Sequence, residues 1–429
     1  MHTEARNELV QQKLSGALSI VLGLMVFSVF LNYVDRGNLS IAAPMIKDEL
    51  KLSASQLGFL LSSFYWTYGL FQIFAGWLVD RFHVNWILAG GFFLWSAATG
   101  ITGMLHGFLA LFLVRLVLGI GESVAYPAYS RILAQHFPLS HQSRANAVIG
   151  AGLSSGPAFG MLAGGILMSR FGWRSFFVVL GAASLLWLIP WLRWMPRGPG
   201  ILVSEDSGES PTTAEILKQR SAWGSFFALF CVNYMLYSMV SWLPFYLVRE
   251  RHFSMDEMGY IGGAVFLTQA LGSVVCGRYA DRWLAAGVSS TLVRKSLLIA
   301  GATGGGICLF LSTLVGNAGC IALLLAAGAM FSMSVSNVWA TTQTLAGPHA
   351  SGRWTGLQCA FGNYSGVLAS WLTGYILQRT GHFSAAFAVV MGFGWVGAFC
   401  WAYVVGPIEP VVWGKKKLVA SGVLATEAV

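Results

Sequence analysis

Apolar stretches of about twenty residues recur along nearly the whole chain, and no other feature constrains its fold as strongly. A helix needs roughly 20 such residues to cross the ~30 Å hydrocarbon core of a bilayer. Segments near 17–43, 56–79, 85–105, 108–133, 145–169, 174–195, 222–248, 257–280, 294–315, 318–345, 353–378 and 384–406 meet that requirement, twelve in all. Charged residues make up only 10% of the chain, against about 25% in an ordinary soluble domain, so a soluble fold is excluded. Glycine is abundant, with 51 residues, as expected where helices pack closely in lipid. The first apolar stretch outruns a signal-peptide core and continues into Asn32-Tyr33-Val34-Asp35-Arg36 without a small-residue cleavage pattern, so it reads as a span. The expectation is an all-α membrane protein with twelve transmembrane helices.

Of the 43 charged side chains, four fall where hydrocarbon should surround them: Asp35, Arg36, Arg115 and Glu122. A charge at bilayer depth costs about 2.5–3.5 kcal/mol on insertion scales, so it persists when paired or put to use. Two acids and two arginines sum to zero, which allows mutual neutralisation. Asp35 and Arg36 are neighbours late in span one and point about 100° apart, so each is free to meet another helix. Arg115 and Glu122 are seven apart, two turns along one face of span four. A static buried ion pair between spans one and four is the plain alternative to a functional cluster.

The Lys/Arg bias sets an expected orientation. With both termini inside, the tails and even-numbered loops carry 17 Lys and Arg, and the odd-numbered loops carry 7. The formal charge of +9 is therefore a topology signal and gives no reason to expect nucleic acid. The longest non-apolar stretch separates six spans from six. It divides the chain into an N-terminal six-helix bundle (1–196), a cytoplasmic linker (197–220) and a C-terminal six-helix bundle (221–429). Across that linker a motif repeats. Gly76-Trp77-Leu78-Val79-Asp80-Arg81 closes span two and Gly277-Arg278-Tyr279-Ala280-Asp281-Arg282 closes span eight, with the aspartates 281 − 80 = 201 residues apart. Duplicated halves with a site between them are a secondary-transporter architecture. Asp80, Arg81, Asp281 and Arg282 are candidate gating residues, since surface pairs worth only ~0–1 kcal/mol each suit a balance that must tip both ways.

The paired Gly-x-x-x-Asp-Arg loops resemble the signature of the major facilitator superfamily. Asn32 to Ser40 in span one, the run from Arg115 through Gly119, Gly121, Glu122 and Ser123 to Tyr126-Pro127-Ala128 in span four, and Phe171-Gly172-Trp173-Arg174 narrow the resemblance. Together they are similar to the anion:cation symporter family, and within it to bacterial transporters of hexonates and hexarates such as D-galactonate and glucarate. The resemblance implies two pseudo-repeated bundles and proton-coupled uptake of an organic anion by alternating access. A monomer in the cell inner membrane, with both termini cytoplasmic, is implied too. It gives Asp35 and Glu122 protonation roles, makes Arg36 an anion contact and ties Arg115 to Glu122. The register places Cys359 where such proteins often carry Asn, a departure that bears on substrate identity.

The residues themselves support the same roles. Proton coupling needs a carboxyl that holds a proton in one state and releases it in another. Burial disfavours the charged form while a nearby guanidinium favours it, and Asp35 and Glu122 are the acids at depth. An arginine grips a carboxylate with two parallel hydrogen bonds, which makes Arg36 the first candidate for substrate and Arg115 the second. Substrate hydroxyls need neutral partners. Tyr33, Tyr68, Gln72 and Tyr126 are candidates in the first half, as are Tyr237, Gln269, Asn337, Gln358 and Asn363 in the second, where no charge lies deep. Each of the second-half residues alone is more often an interhelical hydrogen bond than a ligand contact.

Other functions find less support. The eight histidines scatter through loops and the N-terminal tail with no ligand spacing, and no nucleotide-binding loop is evident, so neither a membrane enzyme nor an ATP-driven pump is expected. The six cysteines have no metal-type spacing and read as small buried hydrophobes. No cofactor is expected beyond the proton as coupling ion. The partners are a small organic anion, protons and the lipid bilayer. Gly152-x3-Gly156-Pro157-x2-Gly160 on span five resembles the glycine–proline motif of drug and metabolite antiporters, so exchange or export is the rival reading, with close helix packing as the plain one.

Overall fold

The computed structural model describes residues 16–137, 139–196, 211–347 and 350–413. Most of the expected linker, residues 197–210, and the side chain of Asp80 lie outside the described residues. In chain order the helices are α1 (Gly16–Glu49), α2 (Ala54–Arg81), α3 (Val84–Thr102), α4 (Phe108–Ser123), α5 (Ala125–His136), α6 (Leu139–Leu185), α7 (Leu188–Trp194) and α8 (Thr213–Leu217). They continue with α9 (Arg220–Arg249), α10 (Met255–Ala285), α11 (Ser290–Ser312), α12 (Asn317–Ala346), α13 (Ser351–Asn363), α14 (Ser365–Thr380) and α15 (Phe383–Phe399), which ends in a π-helical turn, Cys400–Val404.

Among the described residues nine helices are long and apolar enough to cross a membrane. One of them, Val148–Trp194, runs 47 residues, about 70 Å at 1.5 Å per residue. Gly172 breaks it at φ 76°, ψ 157°, a left-handed conformation that glycine adopts without a Cβ clash, so it supplies both the fifth and the sixth expected spans. Helix α2 and the α13–α14 pair fall outside the nine and occupy the places expected of spans two and eleven.

The helices group into two compact units, one of 1–204, 237–270 and 366–386, the other of 205–236, 271–365 and 387–429. In the first, glycine sets the spacing. A Cβ at Gly119 on α4 would sit 2.5 Å from the Phe64 carbonyl of α2, and one at Gly121 would sit 2.8 Å from the Trp95 amide of α3. Backbones this close leave no room for a side chain, which is how small residues let helices associate in lipid. The Gly152, Gly156 and Gly160 stripe of α6 does the same against α1, at Val26, Tyr33 and Val34, so this motif packs two spans together.

In the second unit α11 lies on α12, with Gly301 against Ser334 and Met330. The core there gathers Ile216, Phe226, Trp354 and Trp401. The chain after α15 crosses the end of α12, where the Val411 amide and Trp413 Nε1 donate to the Leu345 and Ala346 carbonyls, both at 2.9 Å. These bonds cap carbonyls that a helix end otherwise leaves orphaned.

Candidate functional site

All four deep charges converge in the first unit. Arg36 Nε donates to Glu122 Oε2 at 3.1 Å, and both side chains are buried. Asp35 accepts from Asn38 Nδ2 at 3.1 Å, one turn on along α1. It lies within electrostatic reach of Glu122 and Arg115, with Thr99 of α3 alongside. Arg115 in turn feels Glu122, Tyr65 and Asp35. Glu122 makes its hydrogen bond to Arg36, which comes in sideways from α1, and lies within electrostatic reach of Arg115 two turns away on its own helix.

The cluster is incompletely satisfied. Asp35 Oδ2, Glu122 Oε1, Arg36 Nη2 and Arg115 Nε are buried with no partner at hydrogen-bond distance, as are both amide atoms of Asn32, which faces Glu122. Buried polar atoms are normally paired. Three donors and three acceptors left open in one cluster are what a polar ligand with a carboxylate and hydroxyls would fill.

Aromatic rings hold the arginines. The Arg36 guanidinium carbon sits 4.5 Å from the Tyr33 ring centre, 4.4 Å from Tyr68 and 5.5 Å from Phe64, and Arg115 sits 5.4 Å from Phe64. Tyr68 stacks on Phe64 at 5.1 Å because the two are four apart on α2 and so share a face. Cations over aromatic faces gain ~0.5–2 kcal/mol each, more when desolvated. These rings therefore offset part of the lost hydration of the guanidiniums and hold them in place. Tyr65, absent from the sequence expectations, is buried. It packs its ring 4.6 Å from Tyr237, and Gly366 of α14 has no room for a Cβ beside it. Only the three-dimensional packing brings these residues together; no local pattern marks Tyr65.

The end of this unit that carries the odd-numbered loops is sealed by a pseudo-symmetric set of contacts between first-half and second-half helices. Gly58 of α2 lies on Gly374 of α14, and Gly259 of α10 lies on Gly165 of α6, each with backbone where a Cβ would go. The offsets match, since 259 − 58 = 201 and 374 − 165 = 209. The amide of Ser55 donates to Gln378 at 3.0 Å. Its counterpart joins Ser169 to Asp256, again offset by 201 and 209. Capping boxes open α2 at Ser53–Gln56 and α10 at Ser254–Glu257, one repeat apart. Asp48 and Arg249, themselves 201 residues apart, pair directly with one another, as residues straddling a pseudo-two-fold axis do.

The remaining expected residues are less alike. Tyr126 is half-buried at the start of α5. Gln72 on α2 and Asn363 at the end of α13 are at least partly buried, and both are engaged. Gln269 Oε1 is buried on α10 without a partner. Asn337 donates back to Met333 O at 2.9 Å and to Ser336 at 3.0 Å, within its own helix. Gln358 accepts from Thr342 at 2.7 Å and donates to Ser225 O at 3.1 Å, so both ends of its amide clamp α13 to α12 and α9. Arg81, Asp281 and Arg282 are exposed at the ends of α2 and α10. Arg282 lies over Tyr279 at 5.8 Å, and Asp281 lies within electrostatic reach of Arg294.

Residues 25–370 match the Major Facilitator Superfamily profile. The chain belongs to the major facilitator superfamily. This superfamily member is 29% identical to the hexuronate transporter of Bacillus subtilis over 414 residues, covering 92% of this chain and 95% of that protein. It is also 29% identical to a probable galactarate/D-glucarate transporter of the same organism, covering 94% and 96%. Its fold is shared with a bacterial homologue of the human lysosomal transporter Spinster, solved inward-facing and occupied, at a TM-score of 0.74 and 18% identity over 97% of this chain and 96% of that one. The chain is therefore a multi-pass membrane transporter of this superfamily and not an enzyme, and its relatives transport small organic anions.

Proposed function

We propose that this transporter imports a small organic anion of the sugar-acid class, a hexonate, hexuronate or hexarate, together with protons. The observation that carries the reading is the buried Arg36–Glu122 pair, in which Arg36 Nη2 and Glu122 Oε1 remain open. A substrate carboxylate and Glu122 compete for one guanidinium. When Glu122 takes a proton its charge disappears, its hold on Arg36 Nε weakens, and the fork of Arg36 is free to grip a carboxylate with two parallel hydrogen bonds. When substrate leaves, Arg36 returns to Glu122 and the proton is driven off. Asp35, beside Arg115 and Glu122, supplies a second protonatable position.

Charge balance ties proton number to substrate charge. The four deep groups sum to zero when both acids are ionised. One proton leaves the cluster at +1, matched by a monoanion such as a hexuronate, and two leave it at +2, matched by a dianion such as a hexarate. An unmatched charge at this depth costs several kcal/mol, so the balanced combinations are the ones that move. The Lys/Arg bias supports an orientation with the termini and the Asp80–Arg81 end in the cytoplasm and the odd-loop end outside, so that an inward proton gradient drives import.

Uptake of radiolabelled D-glucuronate and D-glucarate by proteoliposomes tests the reading. An imposed inward proton gradient should stimulate both, and Glu122→Gln should remove the stimulation while leaving exchange of internal for external substrate. Trans-stimulation without any proton dependence in the wild type would point to exchange and overturn symport.

A further inference from the structure

The odd-loop seal is symmetric in its contacts but unequal in what surrounds them. In the first copy Glu49 accepts from Trp173 Nε1 at 2.8 Å and from Arg174 at 2.6 Å. The Arg174 guanidinium lies 4.3 Å from the Trp173 ring and also bonds the Gly103 and Leu105 carbonyls. Ring, guanidinium and carboxylate thus fill that side. In the second copy the left-handed glycine of the hairpin is Gly381, the counterpart of Gly172, both at φ 76°. It is followed by His382 and Phe383 where the first copy has Trp173 and Arg174. Glu250, one repeat from Glu49, receives the Phe383 backbone amide at 2.8 Å. A cavity of about 710 Å³ lies on this side, lined by Lys47, Asp48, Arg249, Glu250, His252 and His382 among others.

A space of that size is in the range of small-molecule sites, ~300–1,000 Å³. In its lining Lys47 and Arg249 face Asp48 and Glu250, and His252 and His382 add two imidazoles. His252 is placed here by a left-handed backbone, φ 60°, a conformation in which histidine is enriched relative to most side chains.

We propose that this cavity is a docking site for a small carboxylate-bearing solute, which meets Lys47 and Arg249 there and competes with Asp48 for the Arg249 guanidinium. Arg249 also donates to the Pro44 carbonyl at 3.0 Å, so it joins α9 to α1 across the seal, and a carboxylate that draws it away loosens the seal from the solute's own side. The inference rests on the central cluster being an organic-anion site.

Calorimetric titration of the full-length protein in nanodiscs with D-glucarate tests it. Arg36→Ala removes the central clamp and should leave a weaker binding event. Adding Lys47→Gln and His382→Gln to that variant should weaken the remaining event about 10-fold or more. His382→Trp, which rebuilds the closed first-copy arrangement, should weaken it as well and serves if the double change impairs folding. A residual event that is missing, or that none of these changes alters, overturns the docking site while leaving the central site intact. A wild-type chain that binds neither D-glucarate nor D-glucuronate overturns the central-site reading and the docking site together.

Discussion

The two halves of the chain share a framework and differ in chemistry. Asp48 and Arg249, Ser53 and Ser254, Gly58 and Gly259 are each 201 residues apart, and each pair serves the same structural purpose at the odd-loop end. Depth shows the opposite. The first half brings Asp35, Arg36, Arg115 and Glu122 to one point, while the corresponding helices of the second half carry amides and hydroxyls. Selection on closure acts equally on both copies, because a seal needs both sides. Charge in hydrocarbon is tolerated only where it is balanced locally, so one neutral cluster in one half is cheaper than two partial ones.

The difference between site and framework predicts a graded series of outcomes. The largest effect belongs to the cluster. Arg36→Ala leaves Glu122 buried and unpaired, a change that costs ~3–5 kcal/mol, and should weaken anion binding ~10- to 100-fold, as expected for a lost charged hydrogen bond. Tyr68→Phe, which keeps the ring under Arg36, should cost no more than a few-fold in the same calorimetric titration. Equal losses would break the assignment of Arg36 as the clamp. Asp35→Asn should abolish proton-driven uptake in a pH-jump assay, and full retention would remove Asp35 from coupling.

Next comes the seal. Gly58→Val and Gly259→Val each push a side chain into opposing backbone, and overpacking of this kind costs ~1–3 kcal/mol. Both should slow uptake to a similar degree, measured as initial rate, because the contacts are counterparts. A loss confined to one copy would show that the pseudo-symmetry is only geometric. Gln358→Ala is expected to be structural. It removes the two hydrogen bonds that tie α13 to α12 and α9, each worth ~0.5–1.5 kcal/mol, so it should lower the melting temperature while glucarate affinity stays within about three-fold. The smallest effect is Asp48→Asn. Its pair with Arg249 is exposed, and such pairs contribute ~0–1 kcal/mol, so the change should shift the uptake rate by no more than a few-fold, with a charge swap at the two positions restoring it.

Much of this molecule is legible in the sequence because hydrocarbon makes local composition decisive. The apolar segments mark the spans, and the four deep charges stand out because so few others interrupt those segments. Partnership is less legible. Nothing local says that Glu122 is met by Arg36 from α1 in preference to Arg115 on its own helix, since helix rotation is settled by packing such as Gly119 on Phe64. Polar residues of the second half illustrate the same limit. Asn337 and Gln358 look alike as candidate ligands in sequence, yet one folds back on its own helix and the other clamps three helices together. The Asp48–Arg249 pair was within reach of the repeat, because its spacing equals that of Asp80 and Asp281, but exposed charges at helix ends carry no signal of their own.

The glycine crossings of the odd-loop end have a consequence for its opening. Interfaces between large side chains must wet a broad apolar area to come apart, at about 25 cal/mol for every Å². Where Gly58 meets Gly374 and Gly165 meets Gly259, backbone touches backbone, with the Trp242 ring packed beside the first crossing. Such crossings expose less apolar surface on parting than crossings built from large side chains alone.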